Sequence, residues 1–292
     1  MKKVLVTGAR GQLGNSVLNQ LHEKFDILAS DVPKHAPNLI TPYTTLDVTK
    51  SDQIESFLTK FYPDVVINLA AYTDVDGCEL NPEKAYQINT EAIKLLTKNF
   101  KGHFIQISTD YIFDGLNGPY TEDASPNPLS IYGKSKLAAE QYFMESVQNF
   151  CLLRTSVLYD YYADTQASFI KWVVDSLKSN KAINIVNDQW NNPTWTVNMA
   201  EVIELIVLKG VTGVFNYGGA TYLNRFEFAE IIADVFNLNK DLISVISTAR
   251  LNQVAPRPLK GGLRIEKIER DLNIKCANLT NCIKSIKARY NK

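Results

Sequence analysis

The stretch Val4-Leu5-Val6-Thr7-Gly8-Ala9-Arg10-Gly11-Gln12-Leu13-Gly14 decides the fold. An apolar run of strand length ends in three glycines spaced G-x-x-G-x-x-G, and a helical pattern opens directly behind them. Glycines at these points let the backbone turn sharply and come close to a pyrophosphate, while the third lets helix pack on strand. The helix then turns its unpaired N–H groups and positive dipole end toward the phosphates. Three glycines alone are a weak signal, but between a first strand and a first helix they are a strong one. The reading is a dinucleotide held beside Gly8, Arg10, Gly11, Gln12 and Leu13.

The rest of the chain repeats the same unit. Val4 to Thr7, Asp26 to Ser30, Val65 to Leu69, Phe104 to Ser108 and Phe150 to Arg154 are short apolar runs suited to strands buried on both faces. Helical periodicity separates them at Leu13 to Lys24, Asp52 to Phe61, Pro82 to Asn99 and Tyr132 to Ser146. This alternation predicts an α/β fold, a Rossmann-type doubly wound parallel sheet with right-handed crossovers. Residues 1–155 are expected to form the dinucleotide-binding domain, with 197–219 returning to its sheet. Residues 156–196 and 220–292 then make a smaller C-terminal α/β substrate lobe. Within that lobe, Asn187-Asp188-Gln189-Trp190-Asn191-Asn192-Pro193-Thr194 has the composition of a ligand-facing loop or a solvated connector.

Composition removes several function classes. The 292 residues carry 31 basic and 31 acidic side chains, so no net charge favours nucleic acid or an anionic membrane. The run after Lys2-Lys3 breaks at Gly8, too early for a signal peptide. No apolar stretch reaches the roughly 20 residues a membrane span needs. Cys78, Cys151, Cys276 and Cys282 show no metal-ligand spacing among themselves or with His22, His35 and His103. A reduced, cytoplasmic protein with a buried Cys151 and no metal site is expected. The residues leave the oligomeric state open, a homodimer included.

Two acids bear on the cofactor. Asp31 ends the second strand, 20 residues beyond Gly11. An acid there accepts hydrogen bonds from the adenosine ribose and repels a 2′-phosphate, which favours NADH. Arg10 pulls toward NADPH, because a guanidinium in the glycine loop reaches such a phosphate; both cofactors stay open. Asp47, in Leu46-Asp47-Val48, either meets the adenine edge or caps the following helix.

Tyr132-Gly133-Lys134-Ser135-Lys136 sets a phenol and an amine four residues apart, on one face of a helix. Moving a hydride to a ketone requires a proton for the developing alkoxide. A phenol of pKa about 10 needs a nearby cation to act in this way. Lys136 supplies it and reaches the nicotinamide ribose, whereas Lys134 points to another face. The third member is a hydroxyl at the carboxyl end of the fourth strand, where Ser108 and Thr109 stand side by side.

With these residues in order, the sequence resembles the extended short-chain dehydrogenase/reductases, and among them the dTDP-4-dehydrorhamnose reductase family. The matching stretches are Thr7 to Gly14, Asn68 to Asp76, Ser108 to Gly115 and Tyr132 to Glu140, with weaker matches at Asp188-Gln189, Pro193-Thr194 and Ala255 to Pro258. The resemblance implies a triad of Thr109, Tyr132 and Lys136. It puts the Ala70-Ala71-Tyr72 backbone and Asn89 beside the cofactor. Thr73, Val75, Asp110, Tyr111, Trp190 and Thr194 would face a nucleotide sugar, with Arg257 near its diphosphate. The implied reaction is NAD(P)H-dependent reduction of a nucleotide-linked 4-keto-6-deoxy sugar. Departures fall on the substrate side: Gly77-Cys78, Lys260-Gly261, and a 188–194 loop without the family's glycine. Epimerases and dehydratases share the core, though dehydratases place Asp-Glu after the catalytic Thr, where this chain has Asp110-Tyr111. The regulatory subunit of methionine adenosyltransferase also resembles these reductases.

Overall fold

The structure is a computed structural model that describes residues 1–32, 39–98, 100–161 and 168–290; His35 and Asn99 lie outside them. The central sheet contains β1 (Lys3–Thr7), β2 (Asp26–Asp31), β3 (Tyr43–Thr45), β4 (Val65–Asn68), β5 (His103–Thr109), β6 (Phe150–Thr155) and β7 (Gly213–Tyr217). Their order is β7-β6-β5-β4-β1-β2-β3, with every pairing parallel. The chain runs outward from β1 to β3, then re-enters at β4 on the other side of β1. That reversal opens a crevice at the carboxyl ends of β1 and β4, where open α/β sheets bind ligands.

The helices are α1 (Gln12–Leu21), α2 (Ser51–Phe61), α3 (Val75–Leu80), α4 (Pro82–Tyr86), α5 (Ala92–Thr97), α6 (Ile131–Ser146), α7 (Phe169–Lys178), α8 (Thr196–Lys209), α9 (Arg225–Phe236), α10 (Glu266–Leu272) and α11 (Leu279–Tyr290). Strand alternation divides the core cleanly. Val4, Val6, Ile105, Ile107, Cys151 and Leu153 pack with α1 and α8 on one face. Leu5, Val66, Phe104 and Leu152 pack with α2, α5 and α6 on the other. A separate cluster joins Tyr159 to Ile170 and Val173 of α7, Phe228 and Ile232 of α9 and Ile283 of α11. Cys151 is fully buried, and burial pushes its thiol up to about 12.

Two expectations change. The helix expected from Pro82 to Asn99 is interrupted by a π-turn at Gln87–Glu91. The extra residue in that turn points Asn89 and Thr90 at α6, where both bond to Ser135. The 187–194 segment is no free loop: Trp190–Asn191 pairs with Leu223–Asn224, and Thr194–Trp195 with Leu158–Tyr159. Two-residue pairings leave no alternation to read. Helix α3 is likewise too short for a period and has a central glycine, but Asp74 caps it through the Gly77 amide.

Candidate active site

Each glycine of the loop has its own steric reason. Gly8 sits at φ +65, and a Cβ there would lie 2.6 Å from the Ala70 nitrogen. A Cβ on Gly14 would lie 2.5 Å from the Ala9 carbonyl carbon, so α1 packs directly on the loop. In front of Gly11 a Cβ would meet nothing nearer than the Gly8 oxygen at 3.4 Å. Gly11 also caps α1 without any side chain, and the first turn holds no acid. An open, uncapped helix start with room before it fits a pyrophosphate. Gln12 begins α1. Leu13 follows it, its side chain packed into the core on the helix's inward face and its backbone N–H in the open first turn.

Asp31 closes the second side of this loop. Its carboxylate accepts hydrogen bonds from the Arg10 amide at 3.0 Å and the Val32 amide at 2.8 Å, while Arg10 itself is exposed. The acid is thereby fixed at the carboxyl end of β2. Asp47 neither caps α2 nor lies free. Its Oδ1 accepts from the Thr49 amide and hydroxyl in an Asx-type turn, and Lys50 occupies the cap position. Val48 is buried in the core beside α2.

After β4, the Ala70-Ala71-Tyr72 segment passes over the glycine loop. Asn89 grips both backbone groups of Tyr72, at 2.8 and 3.1 Å, and donates to the Ser135 hydroxyl at 3.0 Å. Both amide hydrogens are used on the protein. Asn89 thus braces the segment against α6 from behind rather than presenting itself to a cofactor. Thr7, Asn68 and Gln106 add a buried hydrogen-bond chain across the ends of β1, β4 and β5. Thr73 is exposed, and Val75 opens α3 half-buried.

The expected triad does converge. Ser108 and Thr109 point to opposite faces of β5. The Ser108 hydroxyl is buried without a hydrogen-bond partner, whereas the Thr109 hydroxyl accepts from the Tyr111 amide. Burial pushes the Tyr132 phenol well above its usual value, an effect that the nearby Thr109 hydroxyl partly offsets. Lys136 is buried, and its ammonium donates to the Ile107 carbonyl at 2.7 Å. Burial lowers its pKa to about 8, opposed by the charge of Glu140 one turn along. Glu140 in turn makes a buried ion pair with Arg154, at 2.8 Å, that ties α6 to β6. The sequence contains the signal for Glu140, an acid four residues after Lys136, but it escapes motif reading.

The substrate side departs most from expectation. Asp110 is buried, and its Oδ2 accepts from the Ser156 hydroxyl and the Gly262 amide, so it anchors the 261–263 segment instead of facing a ligand. Thr194 is also buried, its hydroxyl 3.0 Å from that of Thr155. Tyr111 stands edge-on to Tyr132, with centroids 5.6 Å apart. Trp190 stacks at 5.8 Å on Tyr222, an aromatic that no motif marks. Arg257 pairs with Asp76 at 3.0 Å. Arg225, the first residue of α9, acts electrostatically on Asp110, Tyr111 and Arg257 and was not legible as a site residue.

This arrangement has counterparts among known proteins. The chain is 30% identical to a dTDP-4-dehydrorhamnose reductase of Aggregatibacter actinomycetemcomitans, covering 99% of each. It is also 30% identical to methionine adenosyltransferase 2 subunit beta of Rattus norvegicus, over 92% of this chain and 82% of that protein. The crystal structure of dTDP-4-dehydrorhamnose reductase from Bacillus anthracis in complex with NADP superposes with a TM-score of 0.89, at 26% identity, over 99% of this chain and all of that one. The model of the RmlD substrate binding domain matches residues 1–291, and the chain belongs to that family.

Proposed function

We propose that this protein is an NAD(P)H-dependent reductase of a nucleotide-linked 4-keto-6-deoxy sugar. The reading at its most specific is dTDP-4-dehydrorhamnose to dTDP-rhamnose, a step of deoxysugar precursor biosynthesis. The observation that carries it is the convergence of Thr109 at the end of β5 with Tyr132 and the buried Lys136 of α6, whose ammonium is tied to the same strand at Ile107, beside an uncapped glycine loop. Relatives and structural neighbours that are reductases of this kind support it.

The α1 start and the Ala70–Tyr72 backbone would hold a reduced nicotinamide dinucleotide, which would supply a hydride for the sugar carbonyl carbon. Thr109 and Tyr132 share the carbonyl oxygen as hydrogen-bond donors, which fixes its face toward the cofactor. As charge builds on that oxygen, Tyr132 gives up its proton, leaving a C4 alcohol and a phenolate. Lys136, cationic at neutral pH, stabilises the phenolate and lowers the cost of the transfer. The lobe of α7, α9 and α11 is read as the substrate lobe closing over the crevice. The four cysteines are buried free thiols, which supports a reducing, cytoplasmic setting. No helix among the described residues is long and apolar enough to cross a membrane.

Assaying nucleotide-linked keto sugars for oxidation of NADH and NADPH tests the reading. Turnover of at least one 4-keto-6-deoxy sugar is expected. A flat panel with tight dinucleotide binding would favour the second reading, a regulatory subunit, which the likeness to methionine adenosyltransferase 2 subunit beta supports. A dehydratase is less favoured because Tyr111 stands where dehydratases place the Glu of their Asp-Glu pair, and net consumption of added NAD(P)H separates a reductase from an epimerase.

A further inference from the structure

The first turn of α6 carries Tyr132 as its second residue, yet the local sequence does little to hold that turn in place. The chain enters it through Pro126 and Pro128, which have no N–H to bond. Ser130 caps the helix, but its hydroxyl accepts from the Gly133 amide only at 3.3 Å. A helix N-terminus favours an acid, and the first turn of α6 has none of its own. The fit is nevertheless tight: a Cβ on Gly133 would lie 2.2 Å from the Tyr111 carbonyl oxygen.

The acid arrives from α3. Glu79, half-buried, accepts from the Ile131 amide at 2.9 Å, and Ile131 directly precedes Tyr132. Helix α3 is itself anchored on several sides. Asp74 caps it through the Gly77 amide at 3.0 Å, and the Cys78 thiol donates to the Tyr72 carbonyl at 3.4 Å. Asp76 accepts from the Ala255 amide at 2.9 Å and pairs with Arg257. The Glu79 carboxylate is thus presented by a braced helix and not by a loop. A cap that serves helix stability alone is normally local. One supplied from 52 residues away also fixes where the helix start must lie.

We propose that Glu79 is a positioning residue: its carboxylate pins the first amide of α6 and thereby sets the Tyr132 phenol against Thr109. This rests on the reductase reading, in which Tyr132 is the proton donor. Glu79 moves no proton itself; it acts through the helix start. Lys136 lies one turn further along and is tied to Ile107, so its placement does not depend on Glu79. Small displacements decide the matter, because about 1 Å at a reacting group costs up to about 10²-fold in rate.

Three substitutions separate reach from charge. E79A removes the acceptor, E79Q keeps its reach without the charge, and E79D keeps the charge on a side chain one methylene too short. In steady-state reduction of the best keto sugar, kcat should fall by about tenfold or more in E79A and by about three- to tenfold in E79D. E79Q should stay within about twofold of the native protein, since it still accepts from the Ile131 amide. KM for the sugar should move far less than kcat. NADPH affinity should stay within about twofold in all three, because the glycine loop and Lys136 keep their own anchors. Hydrogen exchange at the 131–134 amides, read without any substrate, should quicken in E79A and E79D but not in E79Q. A native kcat in E79A overturns the proposal, and so does an E79Q protein as impaired as E79A. If E79A does not fold, a native kcat in E79D overturns it. The two readings fail separately. Faster exchange in a protein that reduces no keto sugar keeps the clamp and removes the reductase, and native exchange in E79A of an active reductase does the reverse.

Discussion

The Lys136 ammonium donates to the Ile107 carbonyl at 2.7 Å, two residues before Thr109 on the same strand. Sequence spacing pairs Lys136 with Tyr132 alone, yet the cation is moored to β5, the strand that carries Thr109. Tyr132, Thr109 and Lys136 are thus held by one strand–helix contact. The amine has a cost to its burial, which lowers its pKa to about 8.

That value sets the pH dependence. Reduction requires Tyr132 protonated, and its raised pKa keeps it so throughout the neutral range. Reduction also requires Lys136 charged, which fails as pH rises through about 8. The expected profile of kcat/KM is therefore flat below that pH and falls tenfold per unit above it. Glu140 opposes the downward shift of Lys136, so in E140Q the fall should begin at lower pH. The same substitution leaves Arg154 an unpaired buried charge, worth roughly 3–5 kcal/mol of stability, so the profile is to be measured well below the variant's Tm.

Removing one hydroxyl separates chemistry from binding. Y132F should reduce kcat by about 10²- to 10⁴-fold, the usual worth of a positioned proton donor. NADPH affinity, measured by fluorescence titration, should move by less than about twofold. T109V should lower kcat less, and S108A should leave it unchanged, because Ser108 points to the other face of β5. An S108A variant as impaired as T109V would reverse the choice of hydroxyl.

The parts of this site that the sequence announces are those fixed by backbone geometry. Gly8, Gly11 and Gly14 follow from steric need, and Tyr132 and Lys136 from helical spacing. Five strands, β1, β2, β4, β5 and β6, follow from apolar runs too short and too continuous for anything but a buried parallel sheet, whereas β3 is a three-residue Tyr-Thr-Thr with no such run. What stayed hidden depends on tertiary contacts. Asp110 and Thr194 sit inside motif-like stretches but turn away from the crevice, to Gly262 and Thr155. Asn89 lies in a π-turn, a local insertion that leaves no period to detect.

Cofactor preference should respond to Asp31. The Arg10 and Val32 amides fix its carboxylate at the end of β2, where the cofactor's adenosine ribose is expected. A 2′-phosphate meets that charge directly, while the ribose hydroxyls of NADH gain an acceptor. D31S should therefore shift the ratio of kcat/KM values toward NADPH by about tenfold or more, a change of at least 1.4 kcal/mol in discrimination. Steady-state assays with both cofactors read it directly. An unchanged ratio would mean that the ribose lies elsewhere.

The two outer roles of the glycine loop can be told apart by a pair of alanine substitutions. Ala at Gly8 must adopt φ +65 and bring its Cβ to 2.6 Å from the Ala70 nitrogen. The left-handed backbone costs about 1–2 kcal/mol and the overpacking about 1–3 more, so G8A should lower Tm clearly. Ala at Gly11 meets only the Gly8 oxygen, at 3.4 Å, and Gly11 has an ordinary extended φ of −69. G11A should thus fold with stability within about 1 kcal/mol of the native protein. Its methyl nevertheless enters the space before α1 where the pyrophosphate is to lie, and dinucleotide affinity should fall by about tenfold or more. Thermal unfolding and NADPH titration of both variants decide the matter. A G11A protein that binds NADPH normally would show that the cradle before Gly11 is not where the cofactor sits.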